Sequence, residues 1–202
     1  MKKILLILLV LLVAFAVYWF KFRDNDKNKG PKQEPLKVSR HSDGFNKSVD
    51  TMLTAYFEMH DAFVNGDTAK AKAACKNLIA LADNVKLDEL KTDTATVFEA
   101  GSMQMKDIVA NAQSLLQQKD ITEMRQDFRM VGENIYPLLK TIHYEGKTLY
   151  WQNCPMAFGE DKGANWISNT KEIVNPYLGK NHPEFKSSML HCGEIEDSIK
   201  AQ

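Results

Sequence analysis

Two short segments near the carboxyl end hold the side chains best suited to chemistry: Cys154-Pro155-Met156 and Met189-Leu190-His191-Cys192. Each sets a thiol and a thioether within three residues of one another, and the second adds an imidazole. Thiolate and thioether sulfur are soft donors that suit Cu(I), Ag(I) and similar d10 ions, whereas hard cations prefer carboxylate and carbonyl oxygen. Either motif alone is weak, because Met fills cores more often than it binds ions. Both sulfur types recur on segments separated by 32 residues, and that recurrence makes the pattern worth pursuing. The expected ligand set is Cys154, Met156, Met189, His191 and Cys192, for Cu(I) or Ag(I).

The rival use of Cys154 and Cys192 is a structural disulfide, which an oxidising compartment favours whenever two thiols meet. Closing a loop of about 39 residues stabilises a fold by roughly 4 kcal/mol in the chain-entropy model. Soft-metal binding requires both thiols reduced, or else rests on Met156, Met189 and His191 alone. Cys75 lies among Ala and Leu at helical spacing and reads as a buried, inert thiol. Met52, Met59, Met103, Met105, Met124 and Met130 are scattered at core spacing and read mostly as packing. His60 and His143 read as structural residues, and His182, beside Pro183, as solvent-facing. Trp151 and Trp166 are expected to pin the segments that carry the cysteines. There is no Gly-rich phosphate loop, His-Glu-x-x-His or Gly-x-Ser-x-Gly motif, so an enzyme is not expected.

The elements that must position these residues begin at Asp43. Phe45, Val49, Met52, Leu53, Tyr56, His60, Phe63 and Val64 keep a helical period that stops at Asn65-Gly66. Asp67 is a natural N-cap for a second helix carrying Ala71, Ala74, Cys75, Leu78, Leu81, Ala82 and Val85. So short a connection makes the two helices antiparallel neighbours. A third helix is predicted from about Asp93 to Gln118, and Asp120 caps a fourth that carries Ile121, Met124, Phe128, Val131, Ile135, Leu138 and Ile142. Their alternating three-and-four spacing is a bundle seam. Pro137 should kink or divide that last helix, because it lacks a backbone donor.

After Tyr144 the pattern changes to glycines, prolines and short aromatic runs. Residues 148–151 and 165–168 are strand-like, and a last short helix or third strand follows Cys192. The fold class is therefore mainly α: an antiparallel four-helix bundle over 43–144, with a small irregular or β cap over 145–202 lying across one end. About 58 residues with such sparse apolar content would be marginal alone.

The chain has 202 residues, with 26 basic against 26 acidic side chains. Residues 1–23 hold four of the basic ones and no acidic one, leaving 22 against 26, a formal −4, for the rest. A mildly acidic body with no Lys/Arg run lacks the footprint of nucleic-acid binding. Ile4 to Phe20 is an uninterrupted apolar run behind Lys2-Lys3, read as an uncleaved signal anchor in an inner membrane. Cleavage after the small residues Ala14-Phe15-Ala16 is the alternative. Residues 24–42, with Gly30, Pro31 and Pro35, read as a polar linker. The resulting expectation is a periplasmic domain, membrane-tethered or exported after signal cleavage.

Four stretches resemble the domain-of-unknown-function family 3347: Tyr150 to Ala157, Lys162 to Ser168, Ile173 to Gly179 and Met189 to Glu194. Tyr56, Asp67 and Ala71 to Ala74 fit the family's opening, so the resemblance spans roughly 45–196. It implies an exported protein related to a domain appended to heavy-metal efflux adaptor subunits, hence a copper or silver context and a metal-efflux or other periplasmic partner. Within that pattern, Lys180 to Ser188 is an unusually long insert that lengthens the path between the two sulfur segments.

Overall fold

In the computed structural model, residues 40–201 are described, together with Leu12, Phe15 and Tyr18. The unit that carries the candidate site runs from Leu36 to Gln202. The predicted anchor over 4–20 lies outside the described residues, apart from Leu12, Phe15 and Tyr18, which are helical and exposed. No helix among the described residues is long and apolar enough to cross a membrane.

Four α-helices follow one another: α1 (Asp43–Val64), α2 (Thr68–Ala82), α3 (Ala95–Gln117) and α4 (Ile121–Thr141). Each begins at a side-chain cap that satisfies backbone N–H groups the helix leaves unpaired. Ser42 Oγ accepts from Phe45 N at 3.1 Å, Asp67 Oδ1 from Lys70 N at 2.9 Å, and Asp120 Oδ1 from Thr122 N at 2.7 Å. Thr94 Oγ1 caps α3, accepting from Val97 N at 3.3 Å. The second helix stops at Ala82, and Val85 is buried from the turn that follows. A short 3-10 helix, Leu87–Thr92, which the periodicity did not announce, then seats Leu90 in the core.

Neighbouring helices run antiparallel. The Cys75 thiol donates to Ala112 O at 3.1 Å between α2 and α3, and Ser114 Oγ donates to Asp127 at 2.9 Å between α3 and α4. The predicted seam of α4 is buried at Met124, Phe128, Val131, Ile135 and Leu138. Pro137 does not divide α4, which runs on to Thr141. The proline forfeits one hydrogen bond, but buried Ile135, Leu138, Leu139 and Ile142 bracket it and hold the turn in place.

The carboxyl-terminal part forms a three-stranded antiparallel sheet in the order β2-β1-β3, from β1 (Leu149–Cys154), β2 (Ala164–Ser168) and β3 (Glu194–Ile199). The segment after Cys192 is thus a strand. The sheet and its loops lie along the flank made by α1 and α4 rather than across one end. Tyr56 Oη accepts from Ile167 N at 3.1 Å, and Tyr136 stacks on Trp151 with ring centroids 4.3 Å apart. Trp151 thus ties the sheet to the bundle, while Trp166 is wholly buried and meets Tyr177 of the cap edge-on at 5.9 Å.

At the carboxyl end of α1 the cap supplies the missing partners. Lys180 N donates to Val64 O at 2.8 Å, and the buried Arg125 donates through Nη2 to Phe63 O at 3.0 Å. Burial pushes the guanidinium down to about 10, and the negative end of the helix dipole offsets part of that cost. Gly179 turns the chain at φ +58°, where a Cβ would stand 2.8 Å from Val64 O.

The other end of the flank is tied by charge. Asp197 of β3 accepts from both Tyr136 Oη and Lys140 Nζ, each at 2.6 Å, and these bonds hold its carboxyl well below the usual aspartate range. A depressed native value contributes stability that is present above the ordinary aspartate value of about 3.9 and is lost as pH falls below it. The pair is about half-exposed, so solvent screening limits the contribution to about 0.5–1 kcal/mol. Asp197→Asn should therefore lower the urea midpoint slightly at pH 7, with the gap to wild type closing as the pH drops below about 3.9. A gap that widens in acid would refute this.

Candidate functional site

The site is built where the last residue of β1 meets the entrance to β3. Cys154 ends β1 and pairs with Ala164 of β2 on one side. On the other side, Asn153 pairs with Glu194, the first residue of β3, and this register brings Cys192 alongside Cys154. The two Sγ atoms are 2.9 Å apart. Cys154 is wholly buried, whereas Cys192 is half-buried.

Two residues make that approach possible. Gly193 sits at φ +143°, and a Cβ there would lie 2.4 Å from Asn153 O and 3.0 Å from Trp166 Cη2. Only a residue without a side chain can pass so close to the β1 backbone. Asn175 is fully buried and uses both ends of its amide: Nδ2 donates to Cys192 O at 2.9 Å, and Oδ1 accepts from Tyr177 N and Leu178 N at 2.8 and 3.0 Å. Its backbone N donates to Leu190 O at 2.8 Å. That pairing closes the excursion of residues 180–188, which folds back through turns of its own, with Lys186 N donating to His182 O at 2.9 Å. The long insert therefore does not separate the sulfur segments.

The neighbouring carbonyls are gripped as well. His60 Nε2 lies 2.9 Å from Val174 O, and His191 Nδ1 lies 2.7 Å from Ile173 O. His60 is buried, so it anchors the segment around Val174 to α1.

Of the five expected ligands, the two thiols meet directly. Met156 and Met189 are half-buried and packed against the same apolar core as Cys192. His191 is exposed, its ring tied to Ile173 O, and among the described residues no three His, Cys, Asp or Glu side chains converge on a common point. The donors that meet are therefore the two thiol sulfurs. Burial and the adjacent Cys154 thiol push the Cys192 thiol up to about 12, so Cys192 favours its neutral form until a cation or a covalent bond compensates.

Most of the remaining candidates take structural places. Cys75 is wholly buried and raised to about 12 by burial. His143, read as structural, is instead exposed in the turn after α4, at φ 48°. His182 is half-buried, not solvent-facing, and stacks on Phe185 at 4.9 Å. Met52, Met59, Met105 and Met124 are core residues, while Met103 is 63% exposed. Periodicity gave no sign of Asn175 as an organising residue. Its only local signal was the Asn175-Pro176 dipeptide, a turn initiator whose distant partners a sequence does not display.

No curated protein and no solved structure matches the chain at a significant level. A family model described as "Protein of unknown function (DUF3347)" matches residues 52–147, a stretch that runs from α1 to the approach to β1 and ends before the sulfur segments. By this match, the helical body of the chain is similar to the DUF3347 family.

Proposed function

We propose that this chain is a non-enzymatic, exported domain that binds a soft monovalent metal ion, Cu(I) or Ag(I), between Cys154 and Cys192. The observation that carries the reading is the 2.9 Å approach of two thiols from separate segments, each with a methionine two or three residues away. Soft d10 cations accept two thiolates with thioether support, and their charge offsets the cost of deprotonating thiols in an apolar setting. Met156 and Met189 would supply the thioethers. The ion is cargo rather than a resident cofactor, and the natural partner is a periplasmic protein of metal efflux or transfer. The basic start and apolar run over residues 4–20 support membrane tethering on the exported side.

The test is anaerobic Cu(I) titration of the reduced full-length chain in detergent. Wild type should retain about one equivalent after desalting, and Cys154→Ser/Cys192→Ser should retain none above background. Equal retention by the two would discard the reading.

The same closeness favours a second reading, in which the pair is a permanent disulfide that staples the cap internally and the domain serves protein interaction alone. A disulfide is uncharged and suits the desolvated site. Mass spectrometry of chain isolated from the cell envelope without reductant would find these two residues quantitatively cross-linked if this second reading is right. Free thiols at both would remove it.

A further inference from the structure

The two sulfurs differ in access, and that difference sets an order of reaction. Cys154 is wholly buried as the last residue of the central strand, while Cys192 is half-buried in the turn between Met189 and Gly193. Cys192 N donates to Met189 O at 3.0 Å, so the half-buried thiol sits on a short local turn instead of within the ladder. Cys154, by contrast, is held by pairing with Ala164. An external disulfide can reach one sulfur of the pair and not the other, and the reached sulfur lies 2.9 Å from its neighbour.

We propose that Cys192 and Cys154 form a dithiol–disulfide couple in which Cys192 is always the first sulfur to react with an external disulfide, Cys154 is the resolving sulfur, and oxidation closes the metal site. The sulfur chemistry stands by itself; its consequence for the metal rests on the preceding reading.

The steps balance. Cys192, having released its proton, attacks one sulfur of a low-molecular-weight disulfide; that S–S bond breaks and one thiolate leaves, taking up a proton. Cys154 then gives up its proton and attacks Cys192 Sγ in the mixed disulfide, forming the Cys154–Cys192 bond and expelling the second thiolate, which is also protonated. The protein pair loses two electrons, and the external disulfide is reduced to two thiols. No thiolate remains to hold a cation, so the oxidised chain releases its metal.

Asn175 is the positioning residue for this couple. Its amide fixes Cys192 O, and its backbone holds Leu190, so the second step starts from a preset geometry. Cys75, wholly buried and donating to Ala112 O, is an internal reference that should not react.

The experiment treats the reduced full-length chain in detergent with oxidised glutathione under anaerobic conditions, followed by acid quenching and peptide mapping. Wild type should yield the Cys154–Cys192 disulfide without lasting adduct. Cys154→Ser should trap glutathione on Cys192, whereas Cys192→Ser should leave Cys154 unmodified over the same time. In folded wild type, iodoacetamide should label Cys192 at least about tenfold faster than Cys154, a comparison that needs no variant.

Equal labelling of the two, or an adduct on Cys154 as rapid as that on Cys192, would overturn the order. A persistent mixed disulfide in wild type would overturn the couple. Cu(I) added after oxidation should not be retained, and retention equal to that of the reduced chain would overturn the gating. Failure of the reduced chain to bind Cu(I) would defeat the metal reading while leaving the labelling order standing. Asn175→Asp should slow resolution of the glutathione adduct while leaving the initial attack on Cys192 unchanged; a merely structural role would change both alike.

Discussion

Phe128→Ala should remove about 3–5 kcal/mol of folding stability, the largest single loss expected in the chain. The ring stacks on Tyr56 with centroids 5.0 Å apart, meets Phe63 at 5.1 Å and Tyr177 at 6.1 Å, and faces His60 at 6.5 Å. It is wholly buried, and from α4 it touches α1 and the cap at once. Truncation leaves a cavity between rigid aromatic rings that cannot collapse cheaply, so the loss includes both the transfer and the cavity contributions. Met103→Ala is the control: that side chain is exposed, and its removal should change stability by no more than about 0.5 kcal/mol. Urea unfolding followed by far-ultraviolet circular dichroism decides the matter. Comparable midpoints for the two variants would mean that the aromatic cluster does not join cap to bundle as described.

The second large effect is expected at Gly193. Gly193→Ala adds one methyl group, yet that carbon would stand 2.4 Å from Asn153 O, a backbone atom that cannot step aside. The strand entrance must move instead, opening the Asn153–Glu194 pairing and drawing Cys192 away from Cys154. A loss of about 2–4 kcal/mol follows from the strained φ and the broken ladder. The functional consequence is sharper than the stability loss. Both cysteines and both methionines remain, but the reduced chain should lose most of its Cu(I) retention and form the Cys154–Cys192 disulfide far more slowly. Gly163→Ala is the comparison, since its nearest neighbour, Cys154 O, lies at 3.3 Å and needs to give only slightly. Unchanged metal retention in Gly193→Ala would show that sulfur proximity does not depend on the close passage of β3 beside β1.

These expectations also explain why the helical body and the site differ so much in how readily the chain reveals them. The four helices were legible because their signals are local. Apolar residues at three-and-four spacing mark the buried face, and Asp67 and Asp120 cap helices that begin one residue later. The strands around Trp151 and Trp166 were legible as extended aromatic runs, since β-branched and aromatic residues between turn formers favour a pleated, half-buried surface. The 3-10 helix at Leu87 was not, because six residues are too few to display a period. The placement of the cap was missed for a different reason. A sheet attaches to whichever bundle face offers complementary groups, here Tyr56, Tyr136 and Lys140, and nothing local to the cap announces them.

What the amino-acid order determined by itself is the inventory: a mainly helical bundle, an aromatic cap, and two segments each carrying a thiol beside a thioether. What only the tertiary structure decided is that β1 is the central strand, that β3 returns beside it across 38 residues, and that Cys192 therefore arrives next to Cys154. It also set apart His191, a ligand candidate by sequence, whose ring is tied to Ile173 O. The physical reason is range. Helix periodicity and capping are settled within a turn or two of the chain, whereas strand order, the buried amide of Asn175 and the clearance at Gly193 depend on partners that meet only once the whole domain has closed.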